Sequence, residues 1–228
     1  MESPALSSLD RSPVKDVLDR LHRQARGDIK HFVRLAPRFV LGRLRGQAFG
    51  EIVSPAAMRE CFIPIDRDGG RLLYLTARAI GARHVVEFGT SFGISTIYLA
   101  AATRDNGGGV VVGTEIEPSK AARARAHVEE AGLGDQLDLR VGDALETLQE
   151  LDKPVDLLFI DGWKDLYRPV LDLVQPRLRP GAVVIADNIF TFRRELRPYV
   201  EHLQSGAGGF DSTTIAIGQG LEYSVFRG

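Results

Sequence analysis

The chain has 228 residues, a formal net charge of −1, and 44% hydrophobic and 26% charged residues. That is ample to bury the core of one α/β domain with a short extension, and the near-neutral balance gives no global sign of a nucleic-acid partner. The single cysteine, Cys61, excludes an intrachain disulfide. No run of about 18 apolar residues marks a membrane span and no signal-peptide stretch is visible, so a cytoplasmic protein is expected.

Charge is unevenly spread. Between Arg20 and Arg45 eight Lys/Arg (Arg20, Arg23, Arg26, Lys30, Arg34, Arg38, Arg43 and Arg45) stand against Asp28 alone. Ile29, Phe32, Val33, Ala36 and Val40 fall near helical spacing there, with Pro37 splitting the run. A cap helix that buries one face and solvates its arginines is the favoured reading. A patch for a membrane surface or an anionic partner is the sharper alternative.

The stretch before residue 83 reads as helical, a cap over the sheet. Residues 84–88 read as a strand and 94–102 as the helix after it. Residues 110–114 form a second strand, and 118–131 a helix with Pro118 in its first turn and Gly132 at its end. Residues 137–141 are a third strand, followed by a helix over 144–151. Residues 155–160 are a fourth, with the near-continuous apolar run of a buried parallel strand. A helix over 166–178, a turn at Pro180-Gly181 and a fifth strand over 182–186 come next. Residues 213–217 and 222–226 read as a closing strand pair around Gly218-Gln219-Gly220. Five alternations of strand and helix predict an open, doubly wound parallel sheet, whose ligand lies beyond the carboxyl ends of its strands.

Those ends carry the chemistry. The first strand runs into Glu87-Phe88-Gly89-Thr90-Ser91-Phe92-Gly93-Ile94-Ser95, a glycine turn that lets backbone N–H groups approach a ligand. Its G-x-x-x-G spacing differs from that of dinucleotide binders. The second strand ends in Thr114-Glu115, placing an acid where ribose hydroxyls are bound in such sheets. The third ends in Gly142-Asp143-Ala144, the fourth in Asp161 and the fifth in Asp187-Asn188. Helix capping accounts for one or two of these acids but poorly for Asp187-Asn188. Together they point to a nucleoside-type ligand and a hard cation.

With these motifs in order, the chain resembles the class I S-adenosylmethionine-dependent methyltransferases over roughly residue 63 to the C-terminus. EFGTSFGIS and TEIEP carry the superfamily resemblance. FIDGWKDLY with IADN resembles the cation-dependent branch, which includes catechol and caffeoyl-CoA O-methyltransferases. The resemblance implies a Rossmann-like methyltransferase domain over 63–228, mostly parallel with an antiparallel C-terminal strand pair, behind a helical extension over 1–62.

The resemblance also implies roles for single residues. Gly89, Ser91, Gly93 and Ser95 line the methionine end of S-adenosylmethionine, with Glu87 near its amino group. Glu115 binds the ribose, while Ile116, Asp143 and Ala144 flank the adenine. Ile63 and Ile65 close over the methionine moiety, and Trp163 packs beside cofactor and acceptor. Asp161, Asp187 and Asn188 match the ligands of Mg²⁺ or another divalent cation, and Lys164 matches the general base. The implied reaction is methyl transfer to a hydroxyl of a small molecule with two adjacent oxygens; a homodimer is also implied.

The match frays at two points. The catechol enzymes have a tryptophan where this chain has Cys61, followed by Phe62. They use a carboxylate near the C-terminus where the register here gives Thr213. Neither departure touches the metal or cofactor positions, but both weigh against a simple catechol acceptor; the basic amino-terminal segment points to the alternative, a methyltransferase acting without metal chelation on a lipid-like acceptor, an anionic metabolite or RNA. A nicotinamide-dependent oxidoreductase is disfavoured by the glycine spacing and by the lack of a Tyr-x-x-x-Lys pair. A non-catalytic binding module is disfavoured because Lys164 and the three ligand positions occur together.

Overall fold

The computed structural model describes residues 7–27 and 65–228. Ile63, Cys61, most of the basic segment and the junction between the two expected regions lie outside the described residues. The described chain opens with α1 (Val14–Gly27) and resumes with α2 (Arg67–Ala79). The strands β1 (His84–Phe88), β2 (Val110–Glu115), β3 (Leu137–Val141), β4 (Val155–Ile160), β5 (Leu178–Ala186), β6 (Phe210–Ile215) and β7 (Leu221–Phe226) then form one sheet. Its order is β3-β2-β1-β4-β5-β7-β6. β1 to β5 pair in parallel, and β7 runs antiparallel to both β5 and β6. Between the strands lie α3 (Ile94–Asp105), α4 (Pro118–Glu130), α5 (Ala144–Thr147), α6 (Tyr167–Val174) and α7 (Arg193–Gln204).

The period-two alternation of the strands divides the core between the two sheet faces. Val85, Leu157, Phe159, Val183 and Ile185 pack with α1, α2 and α3. Val86, Phe88, Leu158, Ile160, Val184 and Ala186 pack with α6 and α7. Buried strands in this arrangement need apolar residues at every position, as residues 155–160 nearly have. Because β2 and β3 lie on one side of β1 and β4 and β5 on the other, strand order reverses between β1 and β4, which opens a crevice at their carboxyl ends.

Two expectations need correction. Pro180 and Gly181 do not break the chain before a strand but lie within β5. Pairing with β4 passes from Val155↔Leu178 to Leu157↔Val183, so Pro180 falls in a bulge where its missing N–H costs no ladder bond. The closing strands pair further back than the sequence suggests, with β6 beginning at Phe210. Helix α7 is an element that the sequence patterning does not announce. Pro198 lies inside it, while Leu196, Tyr199 and Leu203 supply its buried stripe.

The amino-terminal helix is fastened to the domain by a small polar network. Arg67 donates to Asp19 at 2.6 Å, Arg20 pairs with Glu130, and buried His22 Nε2 lies 3.1 Å from Tyr98 Oη. A Cβ at Gly70 would collide with the Tyr98 ring, so glycine there lets the ring lie on the first turns of α2. Among the described residues no helix is long and apolar enough to cross a membrane.

Candidate active site

The first wall of the crevice is the β1 turn. Gly89 has φ +99°, and a Cβ there would stand 2.7 Å from the Asp161 carbonyl oxygen. Only glycine permits β1 and β4 to approach this closely at their ends. Gly93 caps α3 in the left-handed conformation, and Ser91, also at positive φ, donates its N–H to Glu115 Oε2 at 2.8 Å. Glu115 Oε1 accepts from its own chain at Glu117 N, 2.9 Å away. The acid at the end of β2 therefore shapes the glycine turn instead of capping a helix.

Glu87 is wholly buried at the base of this turn. Its Oε2 accepts from Thr90 Oγ1 at 2.9 Å and Thr96 Oγ1 at 2.5 Å, while Oε1 has no hydrogen-bond partner among the described residues. Burial pushes its carboxyl up, against the hydroxyls of Ser95, Thr96 and Thr90. A buried carboxylate oxygen without a donor is costly unless a ligand supplies one.

Further along the sheet, Gly142 N donates to the Glu115 carbonyl at 3.0 Å, which brings residues 115–116 beside 142–144. Ile116 is exposed and Ala144 buried. Asp143 caps α5 by accepting from Leu145 N at 2.8 Å, so capping does explain this acid. Ile65 is buried just ahead of α2.

The second wall lies at the ends of β4 and β5. Asp187 N donates to the Ile160 carbonyl, setting Asp161 and Asp187 side by side on adjacent strands. Asn188 has φ +67°, its backbone N–H and side chain both bonded to the Asp187 carboxylate. Lys164 is 8% exposed, which rules out a solvated lysine at a helix entry. Its Nζ stands 3.4 Å from Asp161 Oδ1 and 2.7 Å from Tyr167 Oη, 4.8 Å from the centre of the Tyr167 ring and 5.2 Å from that of Phe192.

Burial dominates the electrostatics of this wall. It pushes Asp161 up to about 8, with Lys164 pulling the other way and Asp187 adding to the rise. It also pushes Asp187 up and Lys164 down, the latter against both aspartates. Trp163, half-buried, precedes the single turn Lys164–Leu166. A Cβ at Gly162 would run into the Phe88 ring, so glycine lets this turn fold back over β1.

Glu87, Gly89, Ser91, Gly93, Ser95, Glu115, Asp161, Lys164, Asp187 and Asn188 thus gather on either side of the strand reversal. Thr213 does not join them: it lies on β6, the outermost strand, two places from β5. Sequence reading missed Tyr167 and Phe192 around Lys164, and Thr90 and Thr96 around Glu87. Tyr167 stands three residues after Lys164, the spacing of neighbours on a helix, and was findable. No local signal marked Phe192.

A methyltransferase-domain family model matches residues 86–189. The chain is 34% identical over 131 residues to a catechol O-methyltransferase of Niastella koreensis, covering 56% of this chain and 58% of that one. It spans little more than half the length of the curated relatives it first matches. Among solved structures, cofactor-bound Rv0187 from MTB superimposes with a TM-score of 0.68 at 32% identity, over 72% of this chain and 82% of that one. The O-methyltransferase TomG of Streptomyces achromogenes, solved with S-adenosylmethionine, gives a TM-score of 0.66 at 28% identity, over 85% and 89%.

Proposed function

The chain belongs to the S-adenosylmethionine-dependent methyltransferase family, and from that membership we propose that it is an O-methyltransferase using a divalent cation, with Lys164 as general base. The observation carrying this reading is the group of buried Lys164 and Asp187 with half-buried Asp161 at the ends of β4 and β5, beside the glycine turn of β1.

The residues present fit both groups. The Glu87 Oε1 without a partner among the described residues is a buried acceptor suited to an ammonium group, and it lies at the base of the glycine turn that closes β1. When bound, S-adenosylmethionine supplies an electrophilic sulfonium methyl. Among the described residues no group of three or more His, Cys, Asp or Glu could hold a metal, so a cation here would rest on two carboxylates and the Asn188 amide oxygen. That hard, all-oxygen set suits Mg²⁺, which keeps further positions for water or acceptor oxygens. When bound, the cation supplies charge that favours the ionised form of a neighbouring hydroxyl.

The protein's own part is to move a proton and hold the partners in line. An ordinary lysine, near 10.4, is charged at neutral pH and cannot act as a base; burial lowers Lys164 toward its neutral form. With S-adenosylmethionine held in the crevice, Nζ would take the hydroxyl proton of the acceptor, whose oxygen would bond to the methyl carbon as the methyl–sulfur bond breaks and the neutral demethylated thioether leaves. The Tyr167 and Phe192 rings beside Nζ keep this proton transfer out of bulk water. Positioning within reacting distance supplies much of the acceleration.

The test is calorimetric titration of S-adenosylmethionine and its demethylated product, with Mg²⁺ and then EDTA, and after it transfer to a panel of vicinal diphenols. Lys164→Ala should lower turnover about 10²- to 10⁴-fold while leaving cofactor affinity intact. Asp161→Ala should abolish transfer with affinity largely retained. Full activity in both variants would overturn the mechanism.

A further inference from the structure

Beside the proposed base lies a second ionisable side chain, Tyr167. It is wholly enclosed on the first turn of α6, yet its hydroxyl reaches the one buried amine of the site. Tyr167 Oη donates to the Asp187 carbonyl at 3.0 Å, and Lys164 Nζ donates to Tyr167 Oη at 2.7 Å.

A phenol has one proton, and here it is committed to a backbone carbonyl. A phenol keeps that proton at neutral pH. Toward Lys164 the hydroxyl can therefore only accept. A neutral amine has two N–H groups and one lone pair. When one N–H is taken by Tyr167, the lone pair must point elsewhere. The phenol, with no proton to spare, cannot consume it. The Tyr167 and Phe192 rings close further directions around Nζ, and the remaining contact of the amine is Asp161 Oδ1, on the crevice side.

We propose that Tyr167 is the positioning residue of the general base: its hydroxyl, pinned to the Asp187 carbonyl, holds Lys164 Nζ by one N–H and turns the lone pair toward the acceptor. This rests on Lys164 being the base. Tying that bond to the Asp187 backbone also couples the orientation of the base to the strand end that carries the two candidate ligands.

The same aromatic cluster holds its own control. Tyr199 packs edge-to-face on Tyr167 at 5.6 Å between ring centres, and its hydroxyl, equally buried, has no hydrogen-bond partner among the described residues. Tyr167→Phe and Tyr199→Phe each remove one buried hydroxyl from one ring pair, but only the first touches Lys164.

Two readouts separate the inference from the reading beneath it. The first needs no acceptor: reductive methylation of the ligand-free protein with formaldehyde and cyanoborohydride, with the rate at Lys164 read by mass spectrometry. Lys164 should label faster in Tyr167→Phe, where Nζ is no longer held, and at the wild-type rate in Tyr199→Phe. The second is steady-state transfer to a diphenol. Tyr167→Phe should lower kcat about 10- to 100-fold with KM for both substrates unchanged, and should add nothing to the loss in Lys164→Ala. Unchanged labelling and unchanged kcat in Tyr167→Phe would overturn the proposal. Equal losses in both tyrosine variants would also overturn it, by showing a packing effect. Full activity of Lys164→Ala would instead remove the base itself.

Discussion

A carboxylate buried without a full set of donors must be maintained by something other than stability, and Glu87 is such a group. The threonine hydroxyls satisfy Oε2, the Ser95 hydroxyl also favours the carboxylate, and Oε1 has no hydrogen-bond partner among the described residues. Burial pushes the acid up, so the charged form destabilises the empty fold. Its favourable contribution is therefore present below the unfolded value and is lost as pH rises toward the folded one. Glu87→Gln keeps the shape and removes the charge. The ligand-free variant should melt higher than wild type at pH 7.5, while affinity for the demethylated cofactor product falls about 10- to 30-fold, the worth of one charge-assisted bond. Differential scanning calorimetry and isothermal titration check the two halves. Glu87 entered as a candidate through the family resemblance of the EFGTSFGIS turn. Thr90 and Thr96 were not legible, since serving a buried oxygen depends on which face of the turn each occupies.

The elements show where local signals suffice. The bounds of β1, β3 and β4 were readable residue for residue, because β4 is a buried apolar run that ends abruptly in Asp161 and the other two each end at a glycine turn. The bulge in β5 was not readable, since Pro-Gly also marks ordinary turns and only pairing with β4 shows that the missing N–H costs nothing. The partners that fasten α1 were equally hidden: its buried face of Val14, Val17, Leu18 and Leu21 joins the core, and the polar pairs around it are long-range in sequence. The Asp19 carboxyl is held down to about 2 by Lys15 and then Arg67. A depressed acid contributes stability that is fully present above its unfolded value near 3.8 and is lost as pH falls toward 2. Asp19→Asn should therefore lower the stability of the chain at pH 7 by roughly 1 kcal/mol at most, given the partial solvent access of the pair. The gap from wild type should close between about pH 4 and pH 2. Chemical denaturation monitored across that range measures it, and a gap constant with pH would show that the ion pair contributes nothing.

Across the whole molecule, strand order decides which acids meet. Acids close five consecutive strands in sequence or lie just past their ends; those of β1 and β2 are taken up by the glycine turn, Glu87 by Thr90 and Thr96 and Glu115 by the Ser91 N–H, whereas Asp161 and Asp187, at the ends of neighbouring strands, stand beside Lys164. The alternation of strand and helix made that topology inferable, and the crevice with it. The depth of burial, which gives the acids their chemistry, came only from packing. Two such carboxylates repel when ionised, and burial raises both, Asp161 to about 8. Their contribution to the stability of the metal-free protein is present at low pH and fades as pH rises from near 4 toward about 8. Lys164 is displaced the opposite way and opposes that slope, so the cleaner quantity is the shift a cation produces. A divalent ion must displace whatever protons the pair holds, and its apparent affinity should rise through this window. At a hundredfold excess over its dissociation constant it would add about 2.7 kcal/mol, equivalent to roughly 5–10 °C for a domain of this size. Melting curves with Mg²⁺ or EDTA should therefore diverge more at pH 8 than at pH 5.5. Asp161→Asn combined with Asp187→Asn should abolish the divergence while raising the metal-free melting temperature at pH 8. A Mg²⁺ shift that survives in the double variant would place the cation elsewhere in the protein.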